Sequence, residues 1–158
     1  MYLYHLSYSW YEEFSPVVFT HEQAYSEEQW KELLQKGYDA VIPGLLTPDA
    51  DGFRRWVGGR EIFDALVMHL YKQGFQNATY QQSHEVWGGA MPLNRDLPGL
   101  QQPDPTEGTH EFSEALPFLQ SWLEKICSYN QIIEDAQHAR YLKMKEEDER
   151  KQQAKEQE

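Results

Sequence analysis

Histidine stands next to glutamate three times, at His21-Glu22, His84-Glu85 and His110-Glu111. An imidazole and a carboxylate are the ingredients of metal ligation and of general acid–base work. The spacing argues against both uses. Neighbours on a strand point to opposite faces, so no such pair closes on one ion, and no HExxH spacing occurs. Glu134 and His138 sit four apart, half of a carboxylate-bridged metal site, but no second matching pair is present. Cys127, the single cysteine, has no histidine or aspartate marked as its base, and a buried structural thiol is expected. No catalytic set, cofactor or metal is expected.

The stretch RRWVGGR, residues 54–60, is the most distinctive polar segment. A glycine-rich turn entering a helix can hold an anion, and arginine forks carboxylates and phosphates. Arg54, Arg55 and Arg60 are therefore the candidate anion-binding residues. No Lys-Ser/Thr follows Gly59, which excludes a Walker-type loop. Trp56 and Trp87 each neighbour a Gly-Gly pair, and a tryptophan displayed beside a turn makes a good interface anchor.

Charge narrows the partners. The formal net charge is −12, the wrong sign for a non-specific nucleic-acid binder or for an anionic membrane surface. Residues 1–53 hold nine acids against two bases, and residues 96–139 eight against one. Glu12, Glu13, Glu27 and Glu28 are the carboxylates expected to meet a basic partner. No apolar run approaches the ~20 residues of a membrane span. No secretory leader is visible, and with one cysteine a reducing, cytoplasmic setting is expected.

The elements that position these residues follow from periodicity. In residues 2–10 every second residue is apolar or aromatic (Tyr2, Tyr4, Leu6, Tyr8, Trp10), the pattern of a strand with one face buried. With FSPVVFTHEQAY after it, this predicts a hairpin. The aromatic row faces a core rather than a nucleotide, because residues 1–30 contain no lysine or arginine to hold a phosphate backbone. Ser26 with Gln29 predicts a capping box for a helix over 26–36, stopped at Gly37. A buried helix is predicted over 60–73 and a strand near 75–87. Residues 88–109 read as a long loop, rich in proline and glycine. From about residue 112 a long helix is predicted. Leu116, Leu119, Leu123, Ile126, Asn130 and Ile133 form its short heptad seam, with Asn130 as the polar register position.

The expected architecture is α+β: a small antiparallel sheet packed by these three helices, in one domain over 1–139, followed by a charged helical or frayed tail over 140–158. The favoured function is a non-enzymatic, acidic protein–protein interaction module. Its general character, though no matched motif, is that of inhibitors of basic or nucleic-acid-handling proteins, such as phage counter-defence or toxin-immunity proteins. One alternative is a small enzyme or ligand-binding domain with a pocket near His84, Glu85, Arg54 and Arg55. Another is a structural homodimer through residues 112–144.

Overall fold

Ser26 opens the first helix as its sequence requires. Its hydroxyl accepts from the Gln29 N–H at 3.3 Å, and the Gln29 side chain accepts from the Ser26 N–H at 3.0 Å. A computed structural model describes residues 2–10, 13–77 and 109–156. Strands β1 (Tyr2–Trp10) and β2 (Glu13–His21) lead into helix α1 (Glu27–Leu45). Helix α2 (Gly59–Lys72) and the short strands β3 (Gln76–Asn77) and β4 (Thr109–Glu111) follow. A 3-10 turn (Phe112–Glu114), a short helix α3 (Leu116–Leu119) and the long helix α4 (Leu123–Glu156) complete the described chain.

The fold is α+β, and its sheet is mixed rather than antiparallel. Strand order is β3-β2-β1-β4. β1 pairs antiparallel with β2, from Tyr2 opposite His21 to Trp10 opposite Glu13. β1 pairs parallel with β4, His5 opposite Thr109. β3 begins the strand expected near 75–87; residues 78–87, like 88–108 of the expected loop, lie outside the described residues.

The aromatic row does face a core. Tyr4, Leu6 and Tyr8 are buried, and the helices cover them. Tyr4 packs on Trp30 of α1 with ring centroids 4.8 Å apart, and Tyr8 on Phe63 of α2 at 5.5 Å. Each such buried side chain contributes about 1.5–3 kcal/mol relative to exposure. The Tyr4 hydroxyl is satisfied as well: it donates to the Gln23 carbonyl at 2.8 Å and accepts from the Tyr25 N–H at 2.9 Å.

α1 does not stop at Gly37. It runs on to Leu45, because Gly37 is where α1 and α2 touch. A Cβ there would lie 2.6 Å from Cδ1 of the buried Leu66. The glycine is used for close approach and not for a left-handed cap. Gly37→Val is expected to lower stability by about 1–3 kcal/mol through overpacking, read by urea unfolding. Adding Leu66→Ala should recover part of that loss. Gly74, in contrast, has φ +94° and ends α2, so that Phe75 turns back into the core and its N–H reaches the Leu70 carbonyl at 3.1 Å. Thr47-Pro48-Asp49 starts no helix; the Asp49 carboxylate instead accepts from the Asp51 and Phe53 N–H groups at 3.1 and 2.8 Å.

The helical C-terminal region is broken at residues 120–122, so the predicted seam is not continuous. Leu119, Ile126, Asn130 and Ile133 are buried, whereas Leu116 and Leu123 are exposed. Cys127 is exposed, not buried: it lies about 100° around α4 from the inward-facing Ile126. Beyond Ile133 every side chain described on α4 is exposed. There the helix carries i,i+4 and i,i+3 pairs, Lys145–Glu149 at 3.9 Å and Lys151–Asp148 at 3.8 Å. Among the described residues no helix is long and apolar enough to cross a membrane.

Candidate interaction surface

The chain between α1 and α2, residues 46–58, has no regular secondary structure, so its backbone groups need partners from elsewhere. Asn130 of α4 supplies two. Its side-chain oxygen accepts from the Val57 N–H at 3.0 Å, and its amide nitrogen donates to the Val57 carbonyl at 2.8 Å. Asn130 is 7% exposed and Val57 3%, so the pair is shielded from competing water. One residue along the helix, the Tyr129 ring lies under the Arg54 guanidinium, 5.2 Å from its centroid. A loop is thus fixed to a helix by a two-point amide clamp and a cation–π contact.

This clamp displays large apolar side chains. Trp56, beside Val57, is 50% exposed, and Phe53 is 56% exposed. Singly exposed apolar residues are ordinary. Two aromatics four residues or fewer apart on a loop held from behind present pre-ordered apolar area, the property of an interface anchor.

The three arginines have separate surroundings. Arg54 lies over Tyr129. Arg60 faces Asp64, with Nε to Oδ2 at 3.9 Å. Arg55 is exposed. The N–H that opens α2, that of Gly58, donates to the Glu61 carboxylate at 3.0 Å. The Gly-Gly pair serves packing: a Cβ on Gly59 would lie 2.8 Å from the Phe112 ring and 3.3 Å from that of Tyr8.

The acidic candidates stand elsewhere. Glu27 and Glu28 are exposed in the first turn of α1, where they suit the helix dipole, and Glu27 also pairs with Lys31. They lie on α1, a different element from the irregular segment 46–58 that carries Trp56. Glu13 opens β2 opposite Trp10. Glu12, His84, Glu85 and Trp87 lie outside the described residues.

Two of the histidines, His21 and His110, have structural partners. His21 accepts from the Gln23 N–H at 3.0 Å and stacks on Phe75 with centroids 4.4 Å apart. His110, 3% exposed, is hydrogen-bonded through Nε2 to the Tyr38 hydroxyl at 2.7 Å. Burial pushes His110 down to about 4 and raises Tyr38 above its ordinary value. His5 is also lowered by burial, with Glu111 opposing. Glu134 and His138 are exposed on α4. Among the described residues no group of three or more His, Cys, Asp or Glu could hold a metal ion. Comparisons with family models, curated proteins and solved structures give no match for this chain.

Sequence reasoning marked Trp56 from its glycine neighbours but missed Phe53 and the clamp. A lone polar residue in an apolar helical seam was the available signal, and it serves a loop backbone as well as a partner helix.

Proposed function

We propose that this chain is a non-enzymatic interaction module that docks on a protein with a basic surface, of the kind nucleic-acid-handling proteins carry, and inhibits it by covering that surface. The observation that supports this reading best is the display of Trp56 and Phe53, about half exposed, on a loop whose backbone Asn130 fixes. An irregular segment ordered in advance loses little entropy on docking. The net charge of −12, with Glu27 and Glu28 exposed on α1, supplies attraction at a distance. The two parts have different jobs: the aromatics hold the complex, and the carboxylates speed its formation.

The test separates them. The chain is used as bait in lysate of its source cell or that cell's host, at about 50 mM and about 300 mM salt, where screening lengths differ about 2.5-fold. One basic protein captured best at low salt is expected. With that protein purified, Trp56→Ala should weaken affinity at least tenfold at both salts, mainly through faster dissociation. Glu27→Lys with Glu28→Lys should slow association, and only at low salt. If both variants keep the circular dichroism and the affinity of the parent, the reading is wrong.

A further inference from the structure

Residues 53–58 run without turn or bend between two fixed points. At one end the Asp49 N–H donates to the Phe53 carbonyl at 3.0 Å, and the Asp49 carboxylate accepts from the Phe53 N–H at 2.8 Å. At the other end Asn130 holds the Val57 N–H and carbonyl. In each case one residue takes both main-chain groups of another. The N–H and C=O of Phe53, and those of Val57, must then point the same way, as they do in an extended strand. Gly58, which follows, is extended as well, at φ −114° and ψ −173°.

Alternation decides which groups face outward. In an extended chain successive residues present their N–H and C=O to opposite sides. Arg55 falls in step with Phe53 and Val57, toward the Asp49 turn and α4. Arg54 and Trp56 present theirs to the other side. Among the described residues none of the main-chain groups of Arg54, Arg55 and Trp56 has a hydrogen-bond partner. Two N–H and two C=O groups at positions i and i+2 are the set with which an edge strand pairs with a neighbour. A mobile loop would lose this order; here both ends are held, so the edge is displayed ready for pairing. Charged side chains commonly guard such an edge. The Arg54 guanidinium is drawn onto the Tyr129 ring of α4, and the neighbours on display are Phe53 and Trp56, 56% and 50% exposed.

We propose that residues 54–56 receive an extended strand of the partner, which pairs with the main-chain N–H and C=O groups of Arg54 and Trp56 and lays an apolar side chain on the Trp56 ring. This rests on the reading of Trp56 as an interface anchor and adds how the partner is gripped, by strand addition. The occupant is an uncharged strand, because the exposed Arg55 beside the edge repels lysine and arginine.

The probe is an acetylated, amidated heptapeptide alternating threonine and valine. Its control is the same peptide N-methylated at the five central residues, which cannot donate. Amide hydrogen exchange of the full chain is followed by nuclear magnetic resonance. In the free chain the Val57 amide should exchange at least about tenfold more slowly than those of Arg54 and Trp56. Saturating peptide should slow Arg54 and Trp56 at least about threefold and leave Arg55 as it was; the methylated peptide should slow none of them. Against the captured partner, Arg54→Pro, which removes an outward N–H, should weaken affinity at least about fivefold beyond Arg54→Ala. Arg55→Pro, which removes an inward one, should match Arg55→Ala within about twofold, all four with unchanged circular dichroism. No peptide binding, equal binding of the methylated peptide, slowing of Arg55 alongside its neighbours, or Arg55→Pro as harmful as Arg54→Pro would overturn the inference. So would a concentration-dependent dimer of the free chain that Arg54→Pro abolishes, which gives the edge to a second copy. Each of these results leaves the Trp56 reading standing as long as Trp56→Ala weakens partner capture. If Trp56→Ala has no effect while the Arg54 amide is still protected by the peptide, the anchor reading falls and the edge remains.

Discussion

Replacing Asn130 with leucine is expected to lower the unfolding free energy by about 3–5 kcal/mol. The side chains are similar in size, so the loss is not mainly one of packing. It comes from the Val57 N–H and carbonyl, which Asn130 holds at 3.0 and 2.8 Å. Both would be left buried without partners, each at about 1–3 kcal/mol, and the loop would have to open to hydrate them. Asn130→Asp should also be destabilising, because a carboxylate still accepts from the N–H but faces the carbonyl with no proton to give. Urea unfolding at constant m-value gives both numbers.

The sign of this result separates two uses of one residue. In a coiled-coil seam a lone asparagine sets register at a cost in stability, and an apolar replacement there stabilises the assembly. Here the amide is occupied within its own chain, so leucine should destabilise at every protein concentration. A gain in stability, or a concentration-dependent midpoint, would revive the homodimer through residues 112–144. The same variant bears on function: Trp56 sits beside Val57, so releasing the clamp should weaken partner binding even at temperatures where the fold survives.

What could be read from the sequence follows a physical rule: features set by neighbours along the chain were visible, and features set by distant contacts were not. The period-two row Tyr4, Leu6, Tyr8 and the Ser26–Gln29 capping box lie within a few residues of themselves, and each is found as expected. β4 falls at the end of the expected loop and before the expected helix, because three residues carry little pattern, and its pairing with β1 spans about a hundred residues, His5 opposite Thr109. Gly37 has the composition of a helix stop; only the presence of Leu66 across the helix contact makes it a packing site. The candidate interaction surface divides in the same way. Trp56 was marked by its adjacent glycines, while the clamp joins residues 73 apart.

The pair formed by Tyr38 and His110 is another such long-range feature, 72 residues apart, and it carries the second large effect, a loss of stability in mild acid. His110 titrates near 6.5 when unfolded and at about 4 in the fold, because burial disfavours its charge. The unfolded chain therefore binds the extra proton first. Stability from this group is complete above pH 6.5, falls as pH drops through 6.5 towards 4, and levels off below that. One proton over this interval corresponds to about 2 kcal/mol lost between pH 7 and pH 5. His5, also lowered by burial, adds in the same direction. Tyr38 sets the other boundary: its raised value means that stability is kept up to about pH 10 and lost above it as the unfolded phenol ionises. His110→Gln keeps a hydrogen-bonding side chain of similar reach and cannot titrate, so it isolates the effect. Its unfolding free energy should change by less than half as much as the parent's between pH 7 and pH 5, a range chosen to lie above the titration of most carboxylates. Equal slopes for parent and variant would assign the acid sensitivity to other groups and leave the Tyr38–His110 bond with a packing role alone.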